Sequence, residues 1–338
     1  MILRETDIDR NDWNWLVKAS TTGTWFQSPD AYDFYASLPE LFKPFAVAVE
    51  NDGKLRGICV GYVTVEQNAV KQFMMRRAII VGGPVIADDA TTEEVETLMM
   101  AVRNQFKIFD IRFMISDAPI YIETRNFNDY SKWKGAFERA GFNYKKHLNF
   151  HVDCRDQEAI WERLSENRKR QIRKANGLAI SGLANSENEI REWYEILRVL
   201  YRTKVKTPLW PVEFFLEAYR QGVGKFLLVR HEGKVIGGSM VVTDGKCVYE
   251  WYECGMNAVY KEHYPSVMAT WAGMTLAQET GCSRYDMMGA GEPGVPYGVR
   301  DFKSEFGGEL VEYGRFLCVT KPILYRLGSS VVRMLKRK

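Results

Sequence analysis

The sequence predicts a mixed α/β protein made of two successive domains. Segments with strand-like and helix-like hydrophobic spacing alternate along the chain, and the alternation begins again near residue 150. The chain has 338 residues, which is about the length of two ordinary domains. Hydrophobic residues make up 46% of it, enough to build a core in each domain. We therefore expect a first domain over 1–150 and a second over 151–319.

The elements of the first half have recognisable boundaries. Asn51-Asp52-Gly53 is a strong turn signal that joins two β-rich runs into a hairpin. Gly82-Gly83-Pro84 ends the following strand, and Thr91 or Thr92 is the predicted N-cap of an amphipathic helix. The segment HLNFHVDC, 147–154, reads as the last strand of this half. The other predicted elements are a strand over 111–121 and a helix that ends at Gly141.

The second half is predicted to contain helices, then a meander, then a helix and a strand. Its predicted helices cover 156–177, 187–204, 211–222 and 264–281. The meander covers 225–255, with turns at Glu232-Gly233 and Asp244-Gly245. Two strands, 283–289 and 314–321, complete this half.

Composition argues against several classes of function. The net charge of +3 by itself neither indicates nor excludes nucleic acid. The six cysteines show no C-x-x-C spacing, so we expect reduced thiols and a cytoplasmic protein. The four histidines provide no three-ligand set, and we expect no metal. No apolar run approaches the ~18 residues of a membrane span, and the polar start does not resemble a signal peptide.

The order of elements over 226–288 resembles the core of the GNAT acetyltransferases. In that family the pyrophosphate of an acyl-CoA binds a glycine-bearing loop at a helix N-terminus, where bare backbone N–H groups approach it closely. Here residues 257–271 contain no glycine, and Tyr264 and Pro265 occupy the place of the bare backbone. The sequence thus predicts a GNAT-like fold without a coenzyme A site, and no cofactor.

Several motifs resemble the Fem-type (FemABX) aminoacyltransferases, which extend the side peptides of peptidoglycan with amino acids from tRNA. The motifs are FQSP (26–29), GGPV (82–85), RKRQIRKANGLAI (168–180), Trp271 in the long helix, the strand end Tyr285–Gly289 and the Phe302-Lys303 box. The resemblance spans most of the chain and is strongest over 247–316. It implies two tandem GNAT-like domains, with a C-terminal helix over 320–338 that packs back on the first.

The resemblance also implies the reaction and its partners. The donor would be an aminoacyl-tRNA, and the acceptor would be the stem-peptide amine of a peptidoglycan precursor. The amide would form by aminolysis of the ester. Two alternatives stay open: a GNAT N-acyltransferase that uses acyl-CoA on a cell-surface polysaccharide precursor, and a non-catalytic protein that binds such precursors or RNA.

Lys303 and Phe302 are the predicted catalytic residues. The resemblance places Lys303 where the ester meets the amine, and a fixed ammonium there would stabilise the oxyanion that develops. Phe302 and Phe306 would exclude water around the lysine stem. The alternative is a surface lysine whose stem lies beside two core aromatics.

Five further residues are candidate substrate contacts. The loop MMGAGEPGVPYGVR, 287–300, contributes Glu292 for an ammonium, Arg300 for a carboxylate or phosphate, and Tyr297. The alternatives are a solvated Glu292 and an ion pair of Arg300 with Asp301 or Glu305. The strand YEWYECG contributes Trp251 and Tyr252, for which the alternative is a place in the core. Strict alternation would put Tyr249, Trp251 and Glu253 on one face, and Glu250, Tyr252 and Cys254 on the other.

Two basic segments are candidate surfaces for anionic partners. Helical spacing places Arg170, Arg173 and Lys174 on one face, which suits phosphates of tRNA or of a lipid-linked precursor. The alternative is a solvated charged face. The helix predicted over 320–338 is basic and amphipathic, which suits either peripheral contact with the inner membrane surface or packing on the first domain.

Overall fold

The computed structural model describes residues 1–66, 68–106 and 118–328. Of the strand predicted over 111–121, residues 111–117 lie outside the described part. Of the predicted C-terminal helix, residues 322–328 are helical and residues from 329 onward lie outside it. The contacts divide the chain into two units. The second spans Leu148–Glu312, and the first contains Met1–His147 and the described residues from Tyr313 onward.

Within the described ranges the strands and the main α-helices have the following bounds, besides the helical residues 322–328. The strands are β1 (Ile2–Arg4), β2 (Phe42–Asn51), β3 (Lys54–Thr64), β4 (Ala78–Gly82), β5 (Val85–Ile86), β6 (Tyr121–Asn126), β7 (Asn143–Lys145), β8 (Leu148–Asp153), β9 (Ile180–Leu183), β10 (Lys225–His231), β11 (Lys234–Thr243), β12 (Cys247–Gly255), β13 (Arg284–Gly289), β14 (Glu309–Glu312) and β15 (Arg315–Val319). The helices are α1 (Arg10–Ala19), α2 (Pro29–Ala36), α3 (Ala69–Met75), α4 (Thr92–Asn104), α5 (Lys134–Arg139), α6 (Gln157–Arg163), α7 (Glu166–Ala175), α8 (Glu187–Leu200), α9 (Val212–Arg220), α10 (Pro265–Glu279) and α11 (Gly298–Ser304).

Each unit is built on one mixed sheet, so the predicted mixed α/β architecture is confirmed. The first sheet has the order β1-β2-β3-β4-β6-β15-β7, with β5 beside β3, and β4 runs parallel to β6. The second has the order β14-β8-β13-β12-β11-β10-β9, with β12 parallel to β13. In the first sheet Asp52 and Gly53 have positive φ, as the tight turn between β2 and β3 requires.

Two strands belong to a different sheet from the one that the sequence order suggested. β8 contains most of the segment assigned to the first half, yet it pairs with β13 and β14 of the second sheet. β15 falls within the predicted second domain, yet it pairs with β6 and β7 of the first sheet. The second unit therefore ends at Glu312 rather than at residue 319. Hydrophobic periodicity marks a strand, whereas the partner of each backbone hydrogen bond is decided by the tertiary fold.

Helix caps explain where the main helices begin. Thr91, not Thr92, caps α4, and the side chain of Glu94 completes a reciprocal capping box. The single helix predicted over 156–177 is instead two helices, because Leu164 is extended and the side chain of Ser165 caps α7. In the second unit α10 packs on β10, β11 and β12. No helix within the described ranges combines the length and hydropathy needed to cross a membrane.

Candidate active site

Lys303 lies inside the second unit, on the last turn of α11. Its side chain is buried, and the residue retains 8% of its exposure. The ammonium Nζ donates to the carbonyl oxygens of Met287 and, at 2.8 Å, Gly289. β13 is irregular at this point, because Met288 has a φ of 58° and the register against β8 shifts between Asp286 and Gly289. The lysine thus satisfies carbonyls that the strand ladder leaves open.

The charges of three acids act on this ammonium, and Arg168 acts on one of these acids, Glu253. We call Lys303, Glu250, Glu253, Asp286 and Arg168 the buried charge cluster. Burial lowers the pKa of Lys303, and the charges of Glu250, Asp286 and Glu253 offset part of that effect.

Glu250 is held by two hydroxyl donors. Thr270 of α10 donates to its Oε1 at 2.8 Å, and Tyr285 of β13 donates to the same oxygen at 2.7 Å. All three side chains are buried. Burial raises the pKa of Glu250, although Lys303 and the two hydroxyls favour the carboxylate. The contacts fix this carboxyl group in one position.

Glu253 has a less complete set of contacts. Its Oε1 is shielded from solvent and has no hydrogen-bond partner in the part of the chain that the structure describes. Burial, reinforced by the charge of Glu250, raises the pKa of Glu253 to about 8. Ser266, Lys303 and Arg168 act in the opposite direction. Glu253 is therefore the cluster member best able to retain a proton near neutral pH and to exchange it.

A β-bulge brings the two glutamates to the same face, so the predicted strict alternation along β12 is wrong. Met240 of β11 pairs with Tyr252, and Val241 pairs with Glu250, which leaves Trp251 as the extra residue. The bulge shifts the alternation by one position. Glu250 and Glu253 consequently both face α10, although they are three residues apart.

Trp251 and Tyr252 lie in an aromatic group rather than in the charge cluster. The Trp251 ring is 5.3 Å from that of Phe214, and the Tyr252 ring is 5.0 Å from that of Phe215. Both partners are buried residues of α9, whereas Trp251 and Tyr252 are half-buried. The two candidates are therefore fixed by core packing and retain an accessible part.

Arg168 belongs to this site although the sequence reasoning did not select it, and the same is true of Glu250, Glu253 and Asp286. Its guanidinium carbon lies 4.4 Å from the centre of the Phe302 ring and 4.8 Å from that of Phe306. Its Nη2 donates to the carbonyl of Phe302 at 3.1 Å. Burial lowers the pKa of Arg168, and the charges of Glu305 and Glu253 oppose this. Arg168 thus braces the segment that carries Lys303.

Arg300 binds backbone carbonyls of the preceding loop. Nε donates to Ala290 at 2.9 Å, Nη1 to Val295 at 3.1 Å, and Nη2 to Glu292. Each of the three nitrogens thus binds a carbonyl of the loop, so in this conformation Arg300 shapes the loop and forms an ion pair with neither Asp301 nor Glu305. The side chains of Glu292 and Tyr297 are exposed on that loop.

The predicted basic face is exposed on α7. Lys174 forms an ion pair with Glu262 at 2.7 Å, and Arg173 lies over the Trp161 ring at 5.2 Å. Arg170 contacts Asn167 on its own helix. The neighbouring cations Arg168 and Lys169 of the same basic run are buried.

The N-terminus of α10 is closed by a side chain. Tyr264 precedes the helix with a φ of 43°, in the left-handed region. Asn257 Oδ1 accepts the backbone N–H of Ser266 at 3.2 Å, and its Nδ2 donates to Ser266 Oγ at 2.7 Å. This is the helix end at which the GNAT comparison placed a pyrophosphate, and Asn257 occupies the first available N–H there.

Within the described ranges no group of three histidine, cysteine or acidic side chains is arranged to hold a metal ion. His151 lies near Asp286, with 3.1 Å between Nε2 and Oδ2. Burial favours the neutral form of Asp286, yet His151 and Arg284 together lower its pKa. The six cysteines are buried free thiols.

Comparison with known proteins supports the fold. Residues 162–304 match the family model described as acetyltransferase (GNAT) domain. No curated protein sequence matches the chain. The crystal structure of FemX is similar over 97% of this chain and 99% of its own, with a TM-score of 0.72 and 13% identity.

Two other solved structures are similar over nearly the whole chain. One is the C-terminal domain of a putative lysylphosphatidylglycerol synthetase from Agrobacterium fabrum, with a TM-score of 0.55, 11% identity, and coverage of 94% of this chain and 96% of that one. The other is a tandem GNAT protein from the clavulanic acid biosynthesis pathway, with a TM-score of 0.54, 10% identity, and coverage of 94% and 98%. The chain thus has the tandem GNAT fold, and its resemblance to the Fem-type proteins is confirmed at the level of that fold.

Proposed function

We propose that the protein is an aminoacyltransferase that joins an amino acid from an aminoacyl-tRNA to the stem-peptide amine of a peptidoglycan precursor, in the cytoplasm. The observation that carries the proposal is the ammonium of Lys303, buried beside Glu250 and Glu253 and anchored to β13. The similarity to FemX and to a putative lysylphosphatidylglycerol synthetase, whose name denotes a lysyl group on a phospholipid, supports the class of reaction.

The reaction requires one bond to form and one to break. The acceptor nitrogen attacks the ester carbonyl carbon, and the carbonyl oxygen takes the negative charge. When the intermediate collapses, the ester C–O bond breaks, the tRNA hydroxyl leaves, and the proton lost by the nitrogen is delivered to that oxygen. Two of the three N–H donors of Lys303 bind carbonyls of the described chain, which leaves the third for the oxyanion. One such donor typically contributes about 10²–10³ in rate.

Glu253 is the proposed proton carrier. A carboxyl group with a pKa of about 8 exchanges its proton in the range in which an amine must lose one. Its Oε1 has no protein partner among the described residues, so in the ionised form of Glu253 this oxygen would be available to take the proton of a substrate amine. Lys303 and Arg168 would stabilise the carboxylate once the proton has left.

A second candidate is an N-acyltransferase that uses acyl-CoA, which the match to an acetyltransferase domain favours. The contact of Asn257 with Ser266 argues against it, because a pyrophosphate would have to displace that cap. A non-catalytic protein that binds wall precursors or RNA is the third reading. It would keep its binding activity after loss of the Lys303 ammonium.

The test is incubation of the protein with charged total tRNA and a UDP-linked stem peptide, followed by mass spectrometry. We expect added residue masses with the wild type and with Lys234→Ala, an exposed lysine variant of the same unit, and about 10²–10³ slower addition with Lys303→Ala. No added mass with any amino acid would reject the transferase proposal. Calorimetry with coenzyme A discriminates the second candidate, which requires micromolar binding.

A further inference from the structure

Three cations stand side by side on the sheet of the first unit. Arg125 of β6 is directly opposite Arg315 of β15, and Arg315 is directly opposite Lys145 of β7. Residues directly opposite on adjacent strands project to the same face. We call Arg125, Arg315 and Lys145 the cationic row. Like charges in this arrangement repel each other, so the row costs stability unless anions compensate it.

The carboxylate of Glu123 compensates part of this charge. Arg125 Nε donates to its Oε1 at 2.9 Å, and Arg315 Nη1 donates to the same oxygen at 3.2 Å. Burial raises the pKa of Glu123, but the charges of Arg125, Arg315 and Arg77 outweigh it and lower the pKa. Glu123 is therefore ionised, and the row with Glu123 has a surplus of two positive charges.

The site is accessible to a ligand. The side chains of Arg125 and Arg315 keep 37% and 30% of their exposure, whereas Glu123 keeps 14%. The acid therefore lies behind the two guanidinium groups. Lys145, also exposed, is held at the end of the row by a 3.0 Å bond to the hydroxyl of Tyr325. Arg77 adds a fourth cation, and its Nε is buried without a hydrogen-bond partner among the described residues.

We propose that the cationic row is a binding site for a phosphate group. Glu123 holds both guanidinium groups, and Nη2 of Arg315 also contacts His147 Nε2 at 3.0 Å. Guanidinium groups suit phosphate because they bind its oxygens through several N–H donors, and a dianion offsets more of the surplus positive charge than a singly charged anion does. The site lies within the first unit. The contacts that support it are separate from those that support the proposed transfer reaction.

The test is calorimetric titration of the full chain with inorganic phosphate at constant ionic strength. A parallel titration with acetate tests a singly charged carboxylate. We expect phosphate to bind, and Arg125→Gln and Arg315→Gln each to weaken it by about tenfold or more. Glu123→Gln keeps an oxygen that can accept the bonds from both arginines but removes the competing negative charge, so it should bind phosphate more tightly. Arg139→Gln, which alters an exposed ion pair of the same unit, is the matched control and should bind as the wild type does.

Other arms identify the source of the phosphate. In these titrations UDP or phosphatidylglycerol vesicles take the place of inorganic phosphate. The ligand whose binding is weakened by Arg125→Gln identifies a nucleotide phosphate or a lipid phosphate as the source. Circular dichroism checks that each variant folds. If Arg125→Gln does not fold, Arg125→Lys is used in its place. The lysine keeps the positive charge but lacks the planar fork of N–H donors, so it should also bind phosphate less tightly. Any of three results would overturn the proposal. They are no phosphate binding by the wild type, phosphate binding by both arginine variants that is as tight as that of the wild type, and acetate binding as tight as phosphate binding.

Discussion

The guanidinium of Arg168 lies over the ring of Phe302, 4.4 Å from its centre, and donates to the carbonyl of the same residue at 3.1 Å. It also binds the side-chain oxygen of Gln171 at 2.6 Å. One residue of α7 thus holds both the side chain and the backbone of the residue before Lys303. We call this pair of contacts the brace, and it ties α7 to the segment that carries the ammonium.

The brace predicts a stability difference between two arginines of α7. Arg168→Lys retains the charge but loses the planar stacking and the paired hydrogen bonds, so we expect a loss of about 1–3 kcal/mol in the free energy of unfolding. Arg170→Lys changes an exposed side chain and should stay within about 0.5 kcal/mol. Urea denaturation measures both. Equal stability of the two variants would contradict the brace.

Replacing Lys303 by alanine should lower the transfer rate by about 10²–10³, because the oxyanion loses its donor. The variant also leaves the carbonyls of Met287 and Gly289 without a donor, so its stability must be measured beside its activity. Added methylammonium should restore part of the rate if the vacated space accepts a small cation. A folded variant with the wild-type rate would exclude a catalytic role.

The raised pKa of Glu253 predicts how stability changes with pH. The folded protein keeps this proton up to a pH of about 8, whereas the unfolded chain releases it near the ordinary value of 4.5. The contribution is therefore fully present below the unfolded pKa and is lost as the pH rises towards the folded pKa. Glu253→Gln cannot release a proton, so its unfolding free energy should fall less between these pH values. Parallel urea curves for both proteins measure the difference.

The cap on α10 predicts a second stability effect. Asn257→Ala removes the acceptor for the Ser266 N–H, and we expect a cost of about 1 kcal/mol. Asn257→Asp keeps the acceptor and adds a favourable negative charge at the helix N-terminus, so it should be more stable than Asn257→Ala. Thermal unfolding measures both variants. A neutral alanine variant would show that water replaces the cap.

The basic face of α7 predicts opposite effects on tRNA affinity. Arg170→Gln removes an exposed cation and should weaken binding and reduce the salt dependence. Glu262→Gln releases Lys174 from its ion pair and should strengthen binding. Filter binding over a range of salt concentrations measures both. If neither variant changes the affinity for tRNA, the face is a solvated charged surface that does not bind tRNA.

The sequence alone determined the class of the fold and the chemical character of one segment. Alternating periodicities gave two mixed sheets, because strands and helices repeat their buried side chains at different intervals. Phe302, Lys303 and Phe306 indicated an ammonium in a partly dry place, since two aromatics beside one lysine favour neither an open loop nor a regular core strand. The structure buries Lys303 as that interpretation expected.

Only the tertiary structure decided which charges meet that ammonium. Glu250 and Glu253 share a face because β12 has an extra residue at Trp251, and the hydrophobic pattern does not reveal a bulge. Arg168 belongs to a run of cations whose members look alike in sequence, and packing alone selects the one that stacks on Phe302. β8 and β15 likewise join sheets that their sequence positions do not indicate. Periodicity reports the local conformation of a segment, whereas its partners are fixed by contacts between residues far apart in the chain.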